Sequence, residues 1–122
     1  MKNLYPLTFL CVFLSSGPGH AQLPPQQWAN QYGGGNVDIP FSIKVTSDGG
    51  TIITGYTDSK NGDISPQPNR EYWDCWVVKL NRCGDIEWEK SFGGSNYESG
   101  RDIVQTADGG YLVVGETNST DG

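Results

Sequence analysis

Ser59, Asn61 and Asp63 place side-chain oxygens at alternating positions of the segment Asp58-Ser59-Lys60-Asn61-Gly62-Asp63-Ile64-Ser65. That is the pattern of a loop that wraps a hard cation. With Gly62 at the sixth position of an EF-hand-like loop, these three align with early calcium ligands and Ile64 takes the apolar place. The closing bidentate acid is missing, because Pro68 stands where Glu would be needed. The same side chains equally suit an Asx-rich turn that bonds its own backbone. The turn is the first reading of this loop and calcium its alternative. A second candidate pair is Tyr72 with Trp73, adjacent aromatics at the end of the long polar loop. Large rings at a loop edge offer a contact surface for a ligand, sugar rings included.

Other chemistries are excluded by composition. The chain has one histidine, His20, among 122 residues. Lys2, the apolar run over 4–14 and the small-residue end Gly19-His20-Ala21 compose a secretory signal peptide over 1–21. The run falls well short of the roughly 20 residues that a membrane-spanning helix needs. Once it is removed, 7 basic residues face 14 acidic ones, a net charge of −7, and no imidazole remains. Ser-His and Cys-His nucleophiles and histidine metal sites are thereby excluded from the mature chain. The acidic balance, with no basic cluster, argues against nucleic acid and anionic membrane as partners. Glu71, Asp74, Glu87 and Glu89 supply carboxylates, but nothing in their spacing fixes a pair at glycosidase distance.

The elements that position these residues are written twice, sixty residues apart. Trp28 recurs as Trp88, Gly33 and Gly34 as Gly93 and Gly94, and Asn36 as Asn96. Ile43 recurs as Ile103 and Thr46 as Thr106. Asp48-Gly49-Gly50 returns as Asp108-Gly109-Gly110, and Gly55, Thr57, Ser59 and Gly62 return as Gly115, Thr117, Ser119 and Gly122. A fixed period of this size marks a solenoid, a propeller or an array, in which one unit cannot bury its own apolar face. An Asp-Gly pair between β-rich runs predicts a hairpin. Strands are expected over 41–46, 51–57, 74–80 and 86–92, with 102–106 and 111–117 in the second copy and a brief opening strand over 28–32. No segment carries a helical stripe. The fold class expected is all-β, with four-stranded antiparallel β-propeller-like blades, about one and a half of them in this chain. The organisation is a signal peptide over 1–21, a leader over 22–27, a first repeat over 28–87 and a truncated second repeat over 88–122. The opening strand would be the fourth strand of a blade that lies outside the chain.

At Trp88-Glu89-Lys90 with Gly93-Gly94, Thr106-Ala107-Asp108-Gly109-Gly110-Tyr111, Gly55-Tyr56-Thr57 and Asp74-Cys75-Trp76-Val77-Val78-Lys79-Leu80, the sequence resembles a family of secreted repeat proteins common in the Bacteroidetes. The resemblance covers nearly the whole mature chain. It implies β-propeller repeats on large exported polypeptides, often ending in a type IX secretion sorting domain. It assigns no catalytic residues. The Asp48 and Asp108 turns are also similar to the structural Asp-box turns of sialidase-like propellers.

Cys75 and Cys83 survive processing, and export favours disulfides. Cys83 falls in a hairpin turn and Cys75 several residues up the strand, so at roughly 3.3 Å per residue they stand too far apart to bridge. Trp76 and Trp88 are expected in the core. The function expected is a secreted or cell-surface module with a binding or structural role and no catalysis in this portion. Its partners would be a protein or a glycan, together with further blades of the same polypeptide. The alternative is a carbohydrate-binding or polysaccharide-processing propeller whose catalytic residues lie elsewhere. Recognition is expected in the unduplicated loop over 63–72.

Overall fold

The computed structural model describes residues 28–66 and 71–121. The expected signal peptide over 1–21, the expected leader over 22–27 and part of the unduplicated loop, 67–70, lie outside the described residues. Those described contain six strands and no helix: β1 Asp38–Val45, β2 Thr51–Thr57, β3 Asp74–Leu80, β4 Ile86–Phe92, β5 Glu98–Gln105 and β6 Tyr111–Thr117. The fold is all-β. All six strands lie in one compact unit that begins at Gly33, separate from the described residues 28–32.

β1 to β4 form one antiparallel sheet in chain order, and β5 and β6 form a two-stranded sheet. The Asp-Gly-Gly hairpins are as expected. Gly49 and Gly109 adopt φ of 80° and 87°, the left-handed conformation that glycine takes without steric cost. Asp48 and Asp108 each accept the amide of the second glycine, Gly50 at 2.9 Å and Gly110 at 3.1 Å.

β2, β3, β4 and β6 have the bounds expected from their β-branched and aromatic runs. β1 and β5 begin three or four residues earlier than the sequence pattern suggested, at Asp38 and Glu98. Pro40 and Gly100 mask the start of each strand, because both residues are poor strand formers. Each is accommodated at a register shift, between Pro40 and Ser42 and between Gly100 and Asp102. A bulge is where a strand tolerates such a residue. The expected opening strand over 28–32 is not formed. Its counterpart Ile86–Phe92 alternates apolar and polar residues and pairs along β3. Trp28-Ala29-Asn30-Gln31-Tyr32 lacks that alternation and runs directly into three glycines.

The two sheets meet through one face of each. Ile52 and Val77 from the first sheet and Ile103 from the second form the buried cluster, with Cys75, Trp88, Tyr111 and Val113 against it. Ser42 and Lys44 on β1 reach across to the Asp102 carboxylate at 2.5 and 3.1 Å. On the opposite face of the first sheet, Trp76 is 5% exposed, and its indole N–H donates to Glu89 at 3.0 Å.

A polar anchor closes the turn end of the first sheet. The Lys79 side chain is only 3% exposed, and its ammonium donates to Asp48 and Glu87, each at 2.8 Å, and to the Leu80 carbonyl at 2.9 Å. All three ammonium protons are thereby satisfied, the condition under which a buried charge is tolerated. The hydrogen bond from Lys79, with those from Thr46 and Gly50, holds the Asp48 carboxyl far below the usual range.

Candidate functional site

The loop residues weighed as calcium ligands are engaged with the chain's own backbone. Asp63 Oδ2 accepts the Gly33 amide at 3.0 Å, Asn61 Oδ1 the Gly35 amide at 2.7 Å and Ser59 Oγ the Asn36 amide at 2.9 Å. The glycine arch over 33–36 is thus stitched to the loop that follows β2. Beneath it, one carboxylate gathers three donors. Asp38 accepts from the Gly34 amide at 2.7 Å, the Thr57 hydroxyl at 2.5 Å and the Ser59 hydroxyl at 2.9 Å.

The same knot is tied in the second copy with Glu98 in place of Asp38. Glu98 accepts from the Gly94 amide at 2.9 Å, from Thr117 at 2.8 Å and from Ser119, while Ser119 in turn accepts the Asn96 amide at 2.8 Å. Burial pulls the Glu98 carboxyl upward, but the bonds from Ser119, Gly94 and Thr117 outweigh it and hold the group below its ordinary value. The identities at Gly34, Asn36, Thr57 and Ser59 therefore encode a structural tie, and it differs from the local Asx turn expected, because Asp63, Asn61 and Ser59 accept amides 30, 26 and 23 residues away. Among the described residues, no group of three His, Cys, Asp or Glu side chains is placed to hold a metal.

Tyr72 and Trp73 lie at the other end of β2 and β3 from the Lys79 anchor, and the fold brings Trp73, but not Tyr72, into the lining of a cleft. Trp73 stacks on Tyr56 with ring centroids 4.6 Å apart and an interplanar angle of 15°. Tyr97 sets its edge against both Trp73, at 5.1 Å, and Tyr72, at 4.8 Å. Trp73 and Tyr97 remain 40% and 42% exposed. The cleft has a volume of about 330 Å³, and its polar lining includes Arg101, Glu116 and Asn118. That size falls at the lower end of small-molecule sites, roughly 300–1,000 Å³.

Arg101 and Glu116 form a two-pronged pair across β5 and β6, Nε to Oε1 at 3.2 Å and Nη2 to Oε2 at 2.9 Å. The guanidinium also lies 4.3 Å from the centre of the Phe41 ring. The pairing raises the Arg101 pKa and lowers that of Glu116.

Tyr56, Tyr97, Arg101 and Glu116 were not singled out from the sequence, yet a signal was present. Position 41 corresponds to 101 and position 56 to 116, so the aromatic pair Phe41–Tyr56 of the first copy is replaced by the ion pair Arg101–Glu116 in the second. The cleft is assembled where the copies differ, whereas the donors of the knots, Gly34, Thr57 and Ser59, recur unchanged as Gly94, Thr117 and Ser119. Trp76 and Trp88 are, as expected, buried and packed against the core respectively.

Among the described residues, Cys83 and Cys75 are both free, Cys83 exposed and Cys75 partly buried, with burial raising the Cys75 thiol pKa. No protein-family model matches the chain, and no curated protein matches it.

Proposed function

We propose that the chain is a non-catalytic, secreted or cell-surface β-propeller-type repeat module, in which stacked sheets form the scaffold and the aromatic cleft is the recognition surface. One observation carries the proposal. β1 and β5, and likewise β2 and β6, are offset by sixty residues, and the second sheet covers the face of the first that bears Ile52. The equivalent face of the second sheet, with Val104, Leu112 and Val114, is 45%, 57% and 55% exposed. A further sheet of the same kind would cover it by the same geometry, so the natural partners of the scaffold are additional blades. The signal-peptide pattern and the resemblance to exported Bacteroidetes repeat proteins support the location. The cleft supports a binding role, with a glycan or a protein as partner.

Appending a second copy of residues 63–122 after Gly122 continues the period without a break. If the repeat interpretation holds, the extended chain melts in one transition at least about 5 °C above the original, because three half-exposed aliphatic side chains gain cover. A separate transition for the added segment, or an unchanged melting temperature, refutes it.

A further inference from the structure

From the make-up of the cleft we infer that it binds a neutral saccharide ring, through the exposed surfaces of Trp73 and Tyr97 and the paired polar fork of Arg101 and Glu116. The inference rests on the cleft being the recognition surface of the module, and it adds the class of ligand.

Three observations favour a neutral polyol over a charged or wholly apolar ligand. First, Arg101 and Glu116 neutralise each other at 2.9 Å. Glu98, also on the wall, is held by its own knot. An anion would meet a guanidinium whose charge Glu116 already balances, and a quaternary ammonium a carboxylate whose charge Arg101 already balances.

Second, the Arg101–Glu116 pair uses two guanidinium nitrogens, which leaves further N–H donors and carboxylate lone pairs for hydroxyl groups. The Asn118 side-chain amide stands beside them with both a donor and an acceptor. Groups that both give and accept hydrogen bonds match vicinal hydroxyls, which do the same.

Third, the rings form a rigid platform. Trp73 is braced by Tyr56 behind it and by the edge of Tyr97, so little side-chain freedom remains to be lost when a ligand arrives. The apolar C–H face of a pyranose lies against such a surface while its equatorial hydroxyls turn toward the polar wall.

The test is isothermal titration of the purified protein with cellohexaose, mannohexaose, xylohexaose, hexagalacturonate and tetramethylammonium chloride. At least one neutral hexasaccharide is expected to bind with a millimolar or tighter dissociation constant. Trp73→Ala should weaken that binding about tenfold and Glu116→Gln about threefold, with Trp73→Phe retaining most of it. Lys60→Ala, on an exposed loop outside the cleft, should leave it unchanged.

No binding of any neutral hexasaccharide overturns the inference, and so does tighter binding of hexagalacturonate or tetramethylammonium. Binding unaffected by both Trp73→Ala and Glu116→Gln overturns it too, because the sugar would then sit elsewhere. These outcomes are separable from failure of the repeat module, since melting of the extended chain does not depend on sugar.

Discussion

Removing the carboxylate from each of the two knots should have unequal effects, although the knots have the same design. In the first, Asp38 receives the Thr57 and Ser59 hydroxyls, both 0% exposed. Asp38→Ala leaves two buried hydroxyl protons without an acceptor, at roughly 1–3 kcal/mol each. The expected destabilisation is about 4 kcal/mol, with the Gly34 amide adding little because its surroundings are half open. In the second knot Glu98 is buried, but Thr117 is exposed and Ser119 half-buried. Water can replace the lost acceptor there, so Glu98→Ala should cost about 1.5 kcal/mol.

The assay is urea unfolding at pH 7 followed by tryptophan fluorescence, with equal m-values required for the comparison. Asp38→Asn, which keeps an acceptor oxygen, should recover about half of the loss. If the two alanine variants fall within about 0.5 kcal/mol of each other, or if Glu98→Ala is the more damaging, burial of the donors does not set the strength of the knot and the reasoning fails.

Three more outcomes are expected. The folded-state pKa of Glu98 is lowered from an ordinary value near 4.5, so its contribution is complete above that value and is lost as the pH falls through the lower folded-state pKa. Stability measured from pH 6 downward should therefore decline more steeply in the wild type than in Glu98→Gln. Gly55→Ala would place a methyl 1.9 Å from the Ile39 carbonyl oxygen, inside the β1–β2 pairing, and should cost about 3 kcal/mol or more in thermal unfolding, whereas Gly109→Ala meets no neighbouring atom and pays about 1 kcal/mol for its left-handed backbone alone. Cys83 should react with a thiol reagent at once and Cys75 only slowly, and unreduced mass spectrometry should show no two-dalton deficit.

Much of the fold was legible because the signals are local. Thr51–Thr57 and Asp74–Leu80 are dense in β-branched and aromatic residues, and the Asp-Gly-Gly turns need a left-handed residue that glycine supplies. The starts of β1 and β5 were hidden because Pro40 and Gly100 argue against a strand, and only pairing with β2 and β6 overrides them. The strand anticipated over 28–32 rested on analogy with Ile86–Phe92 rather than on an alternating pattern of its own.

For the site, Tyr72 and Trp73 could be picked out as adjacent rings at a loop edge. Tyr56 and Tyr97 reach them through strand pairing and through the Glu98 amide bonding to the Trp73 carbonyl at 2.8 Å, a tertiary link with no local signature. The significance of Arg101 and Glu116 emerges only when one sheet is laid on the other, although comparison of the two copies marks both positions as departures from the echo.

The knots also carry a statement about the order of folding. Every tie of the two knots joins residues no more than 30 apart, whereas the seam between sheets includes the bonds of Ser42 to Asp102 and Ser47 to Gln105, 60 and 58 residues apart. Closing the longer loop costs roughly 0.6 kcal/mol more for each doubling of length, and its contacts are available only after both sheets exist. Each copy can therefore lock its own arch before it meets its neighbour. A chain emerging amino-terminus first would mature one unit at a time, with each finished sheet serving as the template on which the next one settles.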